Sequence, residues 1–574
     1  MILKELYNYY QLHSSELPAF GKELKQIGFI LVIDKDGEFI RFEDRRLPDK
    51  KSADSFLVAK SVGRTAAPKP NHLYDNSSYI LCFSDKSNID PLKYYNVFKE
   101  SVLSIAERNP ENADIEALRK FFNQDVNKKL AKMQADNLWP EIEKSLTKKY
   151  AFFSFRIEGD NHILAEKEDL IKMACQHEDI AKANSTSKGK RCLITGDKGN
   201  IVETSTATMI PGSQATAKLV TFQVKSGYDS YGKMKGENAP IGEEAEFCYS
   251  TALNKMLGKD SRNKFTIGTR TFLFWASSGS EAGKEMEDCL FSLLGIETTA
   301  DPDKNLEAVK QTFSSIFSGK IPSASDDRFF IMGVSPNSAR IAVNYWAEIP
   351  LKSFAQNILT HFNDFSIIDT RKDKKPYGGI RSILSAVTLG GKASEATPNL
   401  PEAIVKSIFQ NLPYPASLFG ECIRRIRAEQ KVYITRAAIL KAYLNRIKTN
   451  QIKLNEMLDK NNSNPGYLSG RLFAAIEKIQ SDANGINSVK ERYLNSVSST
   501  PAAIFPTLLN LSVHHSEKLA TPKAVYFEKL KQEIINKFDP EGFPVQLSLQ
   551  DQGRFFVGYY HQMQDFYTPK QNEN

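Results

Sequence analysis

Cysteine is scarce in this chain. Its six cysteines (82, 175, 192, 248, 289 and 422) form no CxxC pair and are too scattered for a disulfide framework. Cys175, His177 and Cys192 lie near one another, but structural zinc sites show paired ligands and no fourth ligand is evident, so no metal is expected. No run of 18 apolar residues occurs, which excludes a conventional membrane span. The opening MILKELYNYYQLHSSELPAF reads as a helix interrupted by charge and tyrosine, not as a signal peptide, which points to a cytoplasmic, prokaryotic-type protein. Enzyme motifs are missing too. HExxH and GxSxG do not occur, no carboxylates cluster for two-metal chemistry, and the His514–His515 pair reads as a helix face. WASSGSEAGKE falls short of a phosphate loop, because Gly279 and Gly283 are one residue too close and Glu285 stands where Ser or Thr should hold magnesium. No catalytic residue and no cofactor are therefore expected.

What is present is 574 residues of ordinary globular composition, enough for two or more domains. Turn residues set hairpins in FILVIDKDGEFIRFE, FFSFRIEGDNHILAE, RCLITGDKGNIVE and RFFIMGVSPNSARIAVNYW. The strand FTIGTRTFLFWAS precedes a helix starting near Ser280, and ADIEALRKFFNQDVNKKLAKMQ reads as amphipathic helix. Residues 1–395 thus form an α+β domain with antiparallel sheets. After the linker LGGKASEATPNLPEA the pattern changes, and residues 401–574 read as an all-α helical bundle.

The net charge of +8 is concentrated: residues 401–500 hold 15 Lys+Arg against 8 Asp+Glu. Arg424, Arg425, Arg427, Lys431, Arg436, Lys441, Arg446 and Lys448 crowd two consecutive helices there. Such a run is either a polyanion-facing stripe or a solvated face with pairs such as Arg425–Glu429. Two polar loops stand out further upstream. In GRTAAPKPNHLYDNSSYIL (63–81), Pro68 and Pro70 forbid helix, and Arg64, Thr65, Lys69, Asn71, His72 and Asn76 are donors suited to phosphates and base edges; a strand-like YILCF overlaps its end. In SGYDSYGKMKGENAP, Tyr228, Tyr231, Lys233, Lys235 and Asn238 are interleaved with three glycines. Either loop could equally be a surface turn whose Asn and Ser residues cap local structure.

Eight phrases in register resemble one family, the large subunit of the subtype I-C CRISPR Cascade: FFSFRIEGD (152–160), RCLITGD (191–197), GYDSYGKMKGENAPIGEEAEFCYSTALNKML (227–257), TFLFWA (271–276), NSARIAVNYW (337–346), GYLSGRLFAAIEKIQ (466–480), RYLNSVSSTPAAIFPTLLNL (492–511) and DQGRFFVGYYHQ (551–562). One segment departs: VETSTATMIPG (202–212) stands where the family tends to carry histidine. The resemblance implies a non-catalytic subunit of an RNA-guided complex in antiviral defence. Such a subunit recognises the protospacer-adjacent motif in duplex DNA, aids unwinding and R-loop formation, and holds the displaced strand. Implied partners are the guide RNA, duplex target DNA and its displaced single strand, the Cascade backbone subunits, the 5′-handle-binding subunit, a helicase–nuclease and anti-CRISPR proteins. Small subunits are a further implied partner, and a fragment of this chain starting at Met457 would supply them. On this reading either loop contacts DNA or guide RNA, and Arg424, Arg427, Lys431 and Arg436 hold the displaced strand. The competing readings are a nuclease or guide-processing enzyme and a purely architectural subunit.

Overall fold

The computed structural model describes residues 1–62, 67–173, 189–208, 210–223, 231–258, 260–267, 269–294, 303–372, 377–447, 453–486 and 488–568. The protein is α+β: antiparallel sheets lie in the N-terminal region, and the C-terminal half is mostly helical. Two compact units are formed, residues 13–206 with 222–252, and residues 1–12 with 207–221 and 253–574.

The first of these units is built on β1 (Lys22–Gln26), β2 (Phe29–Ile33), β3 (Phe39–Asp44), β4 (Ser55–Ala59), β5 (Tyr74–Asp75) and β6 (Phe153–Ile157). Its main sheet has the order β3-β2-β6-β5, and β1 pairs separately with β4. All five residues of β2 are buried, as expected for an unbroken apolar run at the centre of a sheet. The DKDG turn joins β2 to β3: the Asp34 carboxylate accepts from the Asp36 and Glu38 amides at 2.9 and 2.8 Å. Gly37 sits there at φ +79° against the backbone of the Ala113–Asn123 helix, leaving no room for a side chain. Phe98, Phe121, Phe122 and Phe155 pack ring to ring between sheet and helices.

Three local expectations change here. FFSFRIEGDNHILAE is not a hairpin, because β6 runs parallel to β2 and Leu164–Glu166 is a 3-10 turn. ADIEALRKFFNQDVNKKLAKMQ is two helices, because the Asp125 carboxylate accepts from the Lys128 amide and starts a new one. YILCF is not a strand either: Asn76 caps a short helix, Ser77–Ile80. The hairpin of RCLITGDKGNIVE does form, with short strands β7 (Lys190–Arg191) and β8 (Lys198–Gly199).

The second unit carries an antiparallel sheet in the order β12-β11-β10-β9, from β9 (Lys264–Ile267), β10 (Arg270–Ala276), β11 (Arg328–Asn337) and β12 (Arg340–Pro350). Ser280 caps the Glu281–Leu293 helix that follows β10, as expected. One sheet face carries Trp275, Phe330 and Trp346, and Tyr9 of the N-terminal Ile2–Leu12 helix meets the Trp275 ring edge-on. The opposite face opens a continuous hydrophobic core that runs through the helices as far as Tyr560. At its centre the Pro465–Asn484 and Leu549–Tyr567 helices touch backbone to backbone. A Cβ on Gly466 or Gly470 would strike the carbonyls of Asp551 or Phe555, and one on Gly558 would strike that of Tyr467. No helix among the described residues is long and apolar enough to cross a membrane.

Candidate nucleic-acid interface

The opening loop leaves β4 and returns at β5, and its two ends are tied together. Asn71 is 4 % exposed. Its side-chain oxygen accepts from the Val62 amide at 3.1 Å, and its own amide donates to the Asp75 carboxylate at 2.8 Å. His72 turns inward, with its Nε2 2.7 Å from the Leu170 carbonyl; burial pushes its pKa down to about 4, so the ring is neutral near pH 7. Asn76 caps the Ser77–Ile80 helix by accepting from the Ser78 amide. Beneath them the Tyr74 hydroxyl lies 3.0 Å from the Ala59 carbonyl and 3.1 Å from Glu23, with Ser61 on the same carboxylate. Asn71, His72 and Asn76 therefore build a rigid neck. Lys69 is exposed on the arm above it, while Arg64 and Thr65 lie outside the described residues.

The second loop is anchored in the same way. Tyr231 is 98 % exposed, at φ +54° and next to Gly232 at +70°, with Lys233 exposed beside it. Its return is pinned: Lys235 pairs with Glu203 at 2.7 Å, Glu237 pairs with Lys190, and the Asn238 amide donates to the Lys235 carbonyl at 3.1 Å. Gly236 lies so close to the Val202 carbonyl that no Cβ fits. Tyr228 lies outside the described residues. One cluster joins the two loops' anchors. Lys60, at the exit of β4, lies 3.7 Å from Glu246, a buried carboxylate that also accepts from the Thr206 amide at 2.6 Å. Sequence reading did not single out this cluster, because three distant residues compose it.

The basic helices of the other unit separate into two kinds of cation. Arg436 is 2 % exposed and donates to the Ala386 carbonyl at 2.9 Å, the Lys431 carbonyl at 3.0 Å and Glu429 at 2.7 Å. It ties three helices together at two C-terminal ends, where exposed carbonyls favour a cation. Arg446 reaches Asp364 at 2.5 Å and the Ser407 and Leu412 carbonyls at 2.7 Å each, and Lys441 donates to the Asp364 carbonyl at 2.9 Å. Arg427 is half-buried: it donates to Ser499, while its backbone carbonyl accepts from Asn495. Arg424, paired with Glu421, and Lys431 are exposed. Lys448 lies outside the described residues. The stripe is thus broken, with its inward members holding helix ends and its outward members facing solvent.

Among the described residues no group of three or more His, Cys, Asp or Glu side chains could hold a metal ion; Cys192 is buried, and Cys175 and His177 lie outside them. The pattern is that of a large scaffold that presents basic loops and helix faces. Its family is shown by a family model, CRISPR-associated protein (Cas_Csd1), which matches residues 3–567: the chain belongs to this family of CRISPR-associated proteins. The match covers nearly the whole chain and supports a Cas large subunit of a type I system. No curated protein matches the sequence.

Proposed function

We propose that this chain is the non-catalytic large subunit of a type I-C Cascade, acting in the cytoplasm of a prokaryote in RNA-guided antiviral defence. The observation that carries the proposal is the family match over residues 3–567. The anchored loops and the exposed cations support a division of labour. Two anchored loops in one unit inspect duplex DNA for the adjacent motif, with Arg64, Thr65 and Lys69 on one arm and Tyr228, Tyr231 and Lys233 on the other. A preformed neck lowers the ordering cost of entering a groove. Arg and Lys suit guanine edges or phosphates, and an exposed aromatic ring can stack on an unstacked base. Arg424 and Lys431, with Arg427 at their margin, hold the displaced strand through its phosphates, each contact adding about 0.7 to the log–log salt slope.

On this reading residues 1–395 recognise the adjacent motif and meet the guide 5′ end and the backbone subunits, while residues 401–574 act as a small-subunit-like bundle. A product begun at Met457 would repeat part of that bundle as separate small subunits, and the assembled surface would recruit the helicase–nuclease. Electron microscopy of the assembled, guide-loaded complex on a short duplex is the test. The expected result is one of the two anchored loops in the groove beside the adjacent motif, with the displaced strand over Arg424 and Lys431. Density for both strands elsewhere would overturn the assignment. Guide precursor and duplex DNA incubated with the purified chain and magnesium should stay intact; specific cleavage would overturn the non-catalytic reading.

A further inference from the structure

The helical unit contains a cavity of about 470 Å³ that none of the foregoing uses. It lies at the corner where the Ala416–Glu429 helix turns into the Ile434–Arg446 helix, and residues 432–435 form one wall. Three tyrosines line it. Tyr377 and Tyr560 have their hydroxyls committed to backbone, at 3.0 Å from Ile367 and 2.9 Å from the Ile368 carbonyl, so their rings are fixed. Tyr433 is 41 % exposed at the rim, with the Arg436 guanidinium 4.7 Å from its ring centre.

Donors are set among these rings. Thr435 is 8 % exposed, lines the cavity, and its hydroxyl has no hydrogen-bond partner among the described residues. Gln564 accepts from the Thr370 hydroxyl and amide at 2.6 and 3.2 Å, which orients its carboxamide and leaves its Nε2 without an acceptor among the described residues. The Ile434–Arg446 helix begins here with no side-chain cap. Arg371, held by Asp369 at 2.7 Å, stands at the same cavity. Asp303, bonded to Ser382, is also in the wall, so a bare phosphate deep inside would meet a carboxylate. A neutral ring that accepts hydrogen bonds meets no such penalty, and a phosphate left at the rim would face Arg371.

We infer that this cavity receives one unpaired nucleotide of a single DNA strand, its base among Tyr377, Tyr433 and Tyr560 and its acceptors on Thr435 and Gln564. The inference rests on the displaced-strand role proposed above, and gives that strand a point of register that phosphate contacts alone do not provide. The space suits one nucleotide, and base–aromatic stacking demands no particular sequence.

The experiment uses the full chain and single-stranded oligonucleotides carrying 2-aminopurine, whose fluorescence is quenched by stacking. Thr435→Val and Gln564→Glu keep the local volume and the Thr370 bonds, Tyr433→Ala removes a wall, and Tyr433→Phe restores it. Wild type should quench the probe. Tyr433→Ala should weaken single-strand binding roughly tenfold or more, as expected for one stacked base. Thr435→Val and Gln564→Glu should each weaken it about fivefold, as expected for one hydrogen bond. Tyr433→Phe should match wild type, and all four should keep the wild-type melting temperature within a few degrees. The inference is overturned if folded Tyr433→Ala and Thr435→Val both bind within twofold of wild type, or if duplex DNA loses affinity to the same extent. The guide-loaded complex separates the two ideas. If it opens its target but quenches no 2-aminopurine placed along the displaced strand, the cavity assignment fails and the Cascade reading stands. If it opens no target, both fail.

Discussion

The opening loop and the basic helix pair attract attention for the same reason, a density of polar and cationic side chains, yet the fold uses the two differently. In the loop, the residues nearest the sheet are consumed: Asn71, His72 and Asn76 satisfy backbone groups and leave Lys69 on an arm. In the helix pair the division runs by segment, so that Arg436, Lys441 and Arg446 of the Ile434–Arg446 helix face inward onto carbonyls while Arg424 of the Ala416–Glu429 helix and Lys431 of the connecting turn are exposed. A cation that offsets its desolvation cost by binding buried carbonyls is a structural element; an exposed cation on the neighbouring segment is available to a ligand.

The strongest way to break this comparison is to remove an inward cation. Arg446→Ala strands Asp364 and two carbonyls and should cost about 3–5 kcal/mol, read as a lower midpoint in urea denaturation. A loss below about 1 kcal/mol would mean that Arg446 belongs with the outward set.

Acid should act on the neck next. The unfolded His72 side chain takes up a proton near pH 6.5, whereas the folded one resists until about 4. Its contribution to stability is therefore complete above pH 6.5 and is lost as pH falls from 6.5 towards 4. His72→Gln should flatten the acid limb of the stability curve in that window, and an unchanged limb would assign the pH dependence to other groups. Asn71→Ala should follow, at about 1–3 kcal/mol for the buried Val62 amide it orphans. Protease susceptibility within residues 62–71 should rise together with that loss; a loss without new cleavage would mean that the neck stays closed without Asn71.

Smallest in stability, and sharpest for function, are Lys69→Ala and Arg424→Ala. Each should shift stability by no more than about 0.5 kcal/mol. Each should also reduce the salt slope of nucleic-acid binding by roughly 0.7–0.9. A stability loss matching that of Arg446→Ala would erase the distinction between inward and outward cations.

Sequence carried the helices well: burial repeats at three and four residues along Ala416–Glu429, while Pro465–Asn484 and Leu549–Tyr567 are buried on nearly every side along their middle turns. Hairpins were legible where a turn dictates the pairing, as in β2–β3 and β11–β12, whereas FTIGTRTFLFWAS, read as one strand, is two antiparallel strands, β9 and β10. They were not legible at Phe153–Ile157, whose partner is the distant β2; no local turn announces a parallel pairing. YILCF misled for a different reason: its residues favour strand, and one capping bond from Asn76 sets a helix instead. Within the candidate site, residue type marked the two loops as polar features but could not divide anchors from arms. That division depends on Val62, Leu170 and Ala386, backbone groups that carry no sequence signal.

The glycine crossing of the Pro465–Asn484 and Leu549–Tyr567 helices bears on the order in which the molecule is made. Three helices separate the two partners along the chain. While those are synthesised, the first helix stands with its glycine trough open and apolar neighbours such as Phe473 unmatched. Its partner emerges late and closes a backbone-tight contact that no other segment could imitate, since any added Cβ at Gly466, Gly470 or Gly558 would clash. A nascent chain stalled before residue 549 would carry an exposed groove, a natural handle for a chaperone and a seed for aggregation.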